Sequence, residues 1–286
     1  MKCLVTKLNG TVNNDSLLKL GEVKFKFNKV ANPTSDTRNF YITVNKPTTL
    51  KINGGGFFTD KNLIENKGDT LTIDANSSGL YFVSNNDVEI SVIDKYNLTS
   101  LRNYDNIATS GKEDYSNKFK DFDLSDIICC TALESVLVVN TSLKGDIKYL
   151  CNLPKMNYIM LNNTSVSGDI ASFSKLVKLT SSLLIENTFI SGDLGTLPDN
   201  IKWVRCSKDQ NFTWTTTNRT KILAMQNVKC DKIDNLLKDL ADKEADFTGE
   251  QGWYKTISLI GTRTSASDAA VQALQSKGYT VSITPA

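Results

Sequence analysis

Three aspartates, Asp146, Asp169 and Asp193, each follow a glycine and precede Ile147, Ile170 or Leu194. Carboxylates that recur at one position of a repeat can stack, and a hard cation such as calcium could bridge them. Each repeat supplies only one, and an aspartate opening a return segment can instead accept backbone N–H groups as a cap. Capping explains the row without metal, so no cofactor is expected, with calcium on the row as the competing reading.

Other acidic pairs are less specific. Asp121 and Asp123 are close in sequence, as are Glu244, Asp246 and Glu250. All lie in charged stretches, where a solvated face is the default. The chain contains no histidine, which excludes Ser-His-Asp and Cys-His catalysis, His-ligated zinc and an imidazole pH switch. Cysteines stand at 3, 129, 130, 151, 206 and 230 with no C-x-x-C spacing. Adjacent Cys129 and Cys130 are poorly placed to bond each other. The cysteines are expected to be reduced and buried as small apolar residues, as in a reducing compartment. No catalytic residue is assigned, and the chain is expected not to be an enzyme.

Trp203, Trp214 and Trp253 could form a sugar-stacking platform, but single tryptophans in separate repeats are better read as core or rim residues. The glycine run 54–56 lacks the Gly-Lys-Ser/Thr of a phosphate loop and is expected to be a turn. A formal net charge of +2 over 286 residues gives no electrostatic case for nucleic acid or an anionic membrane. The opening Met1-Lys2-Cys3-Leu4-Val5 has no secretory h-region, and no window has the apolar length of a membrane helix. The Asn-x-Ser/Thr triplets at Asn97, Asn163 and Asn211 are then accidents of an Asn-rich sequence.

The elements that hold these residues fall into two groups. From Lys2 to about Asp94, short β-branched and aromatic runs alternate with turn clusters such as Asn32-Pro33 and Asn85-Asn86-Asp87. This spacing predicts an antiparallel β-sandwich over 1–95, a domain suited to attachment. In Val23-Lys24-Phe25-Lys26-Phe27 the apolar residues share one face. Residues 96–128 read as a connector that caps the first coil, and 129–286 as a repeat domain.

The repeat shows in Asn140-Thr141-Ser142-Leu143-Lys144-Gly145-Asp146-Ile147, then in the blocks beginning at Asn163 and Asn187. Gly145, Gly168 and Gly192 are 23 and 24 residues apart, within the range of leucine-rich repeats. Apolar residues precede each block: Leu133, Val136 and Val138; Met156, Ile159 and Leu161; Leu183 and Ile185. Further coils are expected at Ile201–Cys206, Leu223–Asn227 and Ile257–Gly261. Ile233, Leu236, Leu237 and Leu240 have helical spacing. A helix is expected over 267–277 with Ser267 as N-cap and Gly278 beyond it, and Tyr279–Ile283 would be the closing strand.

The segment from Leu133 to Ile147 resembles the leucine-rich-repeat consensus, a likeness that covers about 130–283. It departs from that pattern in placing threonine where the ladder asparagine belongs, with asparagine one residue earlier. Fold class is therefore expected to be mostly β: an N-terminal antiparallel β-sandwich followed by a short leucine-rich-repeat-like solenoid. The opening Val5–Asp15 with Leu20-Gly21-Glu22, the motif Gly55-Gly56-Phe57-Phe58-Thr59-Asp60 and the Gly-Asp-Ile repeats are together similar to virion proteins of phages infecting gut Bacteroidales, including the crAss-like group. That likeness implies a tail, fibre or capsid-associated component, located in the virion after synthesis in the host cytoplasm.

The coil register places Leu137, Tyr158, Met160, Leu184, Glu186, Trp203 and Arg205 on the outward sheet face, among them an apolar stripe that fits a protein contact. Cover by another part of the same chain is the alternative. Expected partners are other virion proteins, a second copy of the chain (a trimer is one arrangement) or a host-surface receptor. An intracellular bacterial leucine-rich-repeat adaptor is the alternative function.

Overall fold

The computed structural model describes residues 22–27, 40–53, 57–59, 62–64, 70–73, 75, 80–82, 88–102, 119–120, 122–128, 130–179, 181–215, 217–247 and 252–285. The opening segment 1–21, Asn32-Pro33, the glycine run 54–56, the turn at 85–87, Asp121, Cys129 and Glu250 lie outside the described residues.

The N-terminal strands are β1 (Glu22–Phe27), β2 (Phe40–Val44), β3 (Thr48–Asn53), β4 (Phe57–Thr59), β5 (Asn62–Ile64), β6 (Thr70–Ile73), β7 (Leu80–Phe82) and β8 (Val88–Ile93). They are followed by β9 (Leu98–Arg102) and β10 (Phe119–Lys120). Alternation in β1 turns Val23 and Phe25 inward and leaves Lys24 outside, where its Nζ lies 3.3 Å from Glu89 Oε1. Strands β10, β1, β8, β3 and β6 form a five-stranded antiparallel sheet in that order.

The later strands are β11 (Ser135–Leu137), β12 (Lys144–Asp146), β13 (Tyr158–Met160), β14 (Ser165–Asp169), β15 (Ser181–Leu184) and β16 (Phe189–Asp193). Then come β17 (Ile201–Arg205), β18 (Asn211–Thr213), β19 (Ala224–Cys230), β20 (Thr256–Ile260) and β21 (Thr280–Thr284). Three helices, α1 (Lys148–Cys151), α2 (Ile233–Ala241) and α3 (Asp268–Ser276), lie on return segments. All these strands pair in parallel, one per coil along β11, β13, β15, β17, β19, β20 and β21. A second parallel row, β12, β14, β16 and β18, carries the Gly-Asp blocks.

The pairing corrects the expected fold class. The N-terminal strands do not form a sandwich set apart from a solenoid. Strand β9 pairs antiparallel with β2 (Ile42↔Leu101) along one edge and parallel with β11 (Leu101↔Val136) along the other. Through β9, strands β5, β4, β7 and β2 join the parallel strands in one mixed 16-stranded sheet, with the five-stranded sheet beside it. The physical reason is the edge. The first coil would otherwise present a row of unpaired N–H and C=O groups, and antiparallel strands from the N-terminal region satisfy them. Segment 96–128, expected to be a connector, supplies the first coil strand, β9.

One row of side chains runs through the core. Register places Ile42, Leu101, Val136, Ile159, Leu183, Val204, Met225 and Ile257 side by side, all buried, and ends at half-buried Val281. Burial of each branched side chain contributes about 1.5–3 kcal/mol, and no coil could bury its own without neighbours. The expected helical face on α2 is buried at Ile233, Leu236, Leu237 and Leu240. Ser267 stands at the N-cap of α3, as expected, but its side chain makes no cap bond. Thr264 Oγ1 caps the preceding turn instead, accepting the Ala266 N–H at 3.2 Å.

Candidate functional site

The repeat blocks are turn chemistry. Asn140, Asn163 and Asn187 adopt left-handed φ values of 53°, 56° and 51°, a conformation that asparagine tolerates better than most residues. Their side chains form an exposed ladder: Asn163 Nδ2 donates to Asn140 Oδ1, and Asn187 Nδ2 to Asn163 Oδ1. The following threonines turn inward. Thr164 and Thr188 donate Oγ1 to the carbonyls of Leu161 (2.7 Å) and Ile185 (2.8 Å), while Thr141 Oγ1 accepts the Leu143 N–H. The consensus inward asparagine is thus divided between two residues here, one on the outer ladder and one satisfying the buried turn.

Asp146, Asp169 and Asp193 cap their return segments. Each accepts, through Oδ1 at 2.9 Å, the N–H two residues ahead, from Lys148, Ala171 and Gly195. Asp123 does the same for Ser125 and bridges to Lys144. It is therefore a member of the row rather than half of a solvated acidic pair. The sequence signal was present in Phe122-Asp123-Leu124, which matches Gly-Asp-Ile with phenylalanine in the glycine's place.

The outward face of the parallel strands brings the seven anticipated residues together. Tyr158, Ser182 and Trp203 occupy one row, flanked by Ser135, and Leu137, Met160, Leu184 and Arg205 occupy the next. Tyr158, Met160 and Leu184 are half-buried. At one end Arg205 Nε lies 2.6 Å from Glu186 Oε1, and Asn162 Nδ2 donates to the other carboxylate oxygen. Burial raises the Glu186 carboxyl above its ordinary value against the opposing pull of Arg205 and Asn162. At the other end Ser100 and Ser135 share a hydrogen bond of 2.7 Å, and Arg102 Nε donates to Ser100.

Two of the seven are not open to a partner. Leu137 is 3% exposed and Trp203 6% exposed. The turn Gly252–Lys255 lies against the Trp203 end of the face. Trp253 and Tyr254 place their rings 5.8 Å and 6.4 Å from that of Trp203, and Tyr254 Oη is 3.4 Å from Ser182 Oγ. Trp253 itself is 43% exposed. No sequence signal marked Gly252–Lys255 as a cover, because its target lies about fifty residues earlier in the chain. Trp214 is remote from this cluster by role: it is fully buried and donates Nε1 to Asp239 at 3.0 Å.

The described cysteines, Cys130, Cys151, Cys206 and Cys230, are buried free thiols. Burial pushes the Cys130 and Cys151 thiols up to about 12, and Cys206 well above its ordinary value. Among the described residues, no helix is long and apolar enough to cross a membrane.

No family model and no curated protein matches the chain. Solved structures resemble part of it, among them the two that follow. The crystal structure of a TDR receptor is 13% identical over 56% of this chain and 40% of that one, with a TM-score of 0.27. The crystal structure of PEPR1-AtPEP1 is 12% identical over 57% of this chain and 29% of that one, with a TM-score of 0.34. The chain thus spans less than half the length of either, and scores at this level carry no weight. The leucine-rich-repeat-like character of the coils rests on their own period, register and turn chemistry.

Proposed function

We propose that this chain is a non-catalytic structural protein of a bacteriophage virion, a tail, fibre or capsid-associated component, whose outward coil face seats a neighbouring virion protein. The protein-binding part is carried by one observation: half-buried Tyr158, Met160 and Leu184 in adjacent rows, bounded by the Glu186–Arg205 ion pair. Tyrosine and methionine beside an arginine match the composition of interface cores. A pair already joined within the chain presents little net charge for a partner to desolvate. The non-catalytic part is supported by the engagement of the repeated aspartates as caps and by the suppressed acidity of the buried thiols. The virion part is supported by the opening motif and the Gly-Asp-Ile repeats.

Mass spectrometry of washed, purified phage particles tests this reading. The chain is expected among the particle proteins, and cross-linking is expected to join peptides around Tyr158 and Met160 to a different virion protein. Absence of the chain from the particles would overturn the virion assignment. Its presence with cross-links only elsewhere would overturn the assignment of the face.

A further inference from the structure

Among the described residues the core row ends at Val281, and β21 is the last strand of the sheet at this end. Strand β21 pairs with β20 along one edge, and among the described residues nothing pairs with the other. Val271, Val281 and Ile283 pack against the core yet remain only half-buried at this end. Folded proteins normally guard such an edge with a charge, a proline or a bulge. Thr280-Val281-Ser282-Ile283-Thr284 has none of these within the strand, and its pairing with β20 is regular from Thr280 to Thr284.

We propose that this edge is a self-association surface, in which β21 pairs antiparallel with β21 of a second copy about a two-fold axis at Ser282. The backbone fixes which groups are available. The Thr284 carbonyl accepts the Gly261 N–H at 2.9 Å, so residues 280, 282 and 284 turn their backbone groups toward β20. Successive residues of a strand alternate, and Val281 and Ile283 therefore direct N–H and C=O outward. The neighbouring outward donors are removed: the Tyr279 N–H is taken by the Leu274 carbonyl, and Pro285 has none. A two-fold at Ser282 sets Val281 opposite Ile283 of the second copy and Ile283 opposite its Val281. All the free donors and acceptors of the two residues are then used.

The side chains favour a second copy of this chain over a foreign strand. Thr-Val-Ser-Ile-Thr is nearly palindromic, so the axis pairs threonine with threonine, serine with serine and branched apolar with branched apolar. Both inward-facing pairs extend the core row past its present end. Residues 278–286 contain no charged side chain, so two identical edges meet without repulsion. On helix α3, Ala269, Gln272, Gln275 and Ser276 are exposed and uncharged, and the exposed Asp268 at its start is paired with Arg263, whereas Lys238 is exposed on α2. Lys277, the nearest cation, is turned away and donates Nζ to the carbonyls of Ala241 and Lys243. One strand edge and one helix flank bury less than the roughly 1,200–2,000 Å² of a standard stable interface, so the dimer forms reversibly with concentration. This proposal does not depend on the virion assignment.

Sedimentation of the whole chain across a wide concentration range tests it. The mass is expected to double and stop there, and hydrogen exchange at Val281 and Ile283 is expected to slow as the dimer fills. Ser282→Lys and Ser282→Glu, at an exposed position, should each halve the mass at high concentration while retaining the wild-type circular dichroism. Mixing the two variants should restore the doubled mass, because opposite charges then face each other on the axis. A wild type that stays monomeric, or assembles beyond a dimer, overturns the proposal. So does a folded Ser282→Lys that dimerises as wild type, or a mixture of folded variants that remains monomeric. Should either lysine or glutamate prevent folding, unchanged exchange at Val281 and Ile283 in the wild type on concentration would overturn it alone.

Discussion

Asp169 uses one carboxylate oxygen in two coils: Oδ1 accepts the Ala171 N–H at 2.9 Å and lies 2.5 Å from where a β-carbon on Gly192 would stand. Gly168 stands in the same relation to Asp146, at 2.7 Å. The cap of each coil therefore occupies the space that the next coil's glycine leaves empty. The Gly-Asp dipeptide is a contact between repeats as much as a turn within one.

Gly192→Ala places a β-carbon on that oxygen and a side chain at φ 119°. The strain and displaced cap should together destabilise the fold by about 1–3 kcal/mol. Asp169→Ala alone should cost about 1 kcal/mol, as lost caps usually do. Urea unfolding of the double variant should show a loss smaller than the sum of the two, because removing the Asp169 carboxylate frees the space that the new methyl group needs.

The outward face should divide into fold residues and contact residues. Trp203→Ala empties a buried site under Trp253 and Tyr254 and should cost about 3–5 kcal/mol in denaturant unfolding. Met160→Asp and Tyr158→Asp, at half-buried positions, should cost about 1 kcal/mol or less. Incorporation into particles should nonetheless fall with the latter two. Equal instability in all three would show that the whole face is internal packing.

Asp234 joins the last two coils. It accepts the Thr264 N–H at 3.1 Å and the hydroxyls of Thr264 and Ser267. The Ser267 and Thr264 hydroxyl bonds hold its carboxyl below the ordinary 3.8. A lowered folded-state value means stability present above the unfolded value and lost as pH falls through the folded one. Asp234→Asn should therefore be less stable than wild type at neutral pH. The gap should close as pH falls below 3.8, and thermal unfolding across that range would show whether it does.

The buried thiols should resist chemistry. Alkylation of the native protein should leave Cys130, Cys151 and Cys206 unmodified, since burial both shields them and raises the Cys130 and Cys151 thiols to about 12 and Cys206 well above its ordinary value. Peptide mapping after unfolding should find all three labelled. Label on Cys130 in the native state would mean that the core opens around it.

The repeats were legible because turn chemistry is local. Glycine at a positive φ, asparagine in the left-handed region and a capping aspartate each leave a mark within a few residues. The inward apolar positions and the face of α2 were legible from period alone. What could not be seen was pairing between distant strands. Nothing in Leu98–Arg102 announces that its edges will meet Phe40–Val44 and Ser135–Leu137. The cover over Trp203 was hidden for the same reason. Ser267 stands at the expected cap position but makes no cap bond, because a neighbouring carboxylate, Asp234, engages its hydroxyl.

Strand β9 also has a mechanical consequence. Because Ser100, Leu101 and Arg102 are paired with β2 on one side and with β11 on the other, backbone hydrogen bonds join the two sets of strands at that junction. A pull applied at β2 and at β21 is borne by backbone hydrogen bonds across successive strands, not by a tether. In an assembly, such a molecule acts as a strut that holds whatever binds its two ends at a fixed spacing.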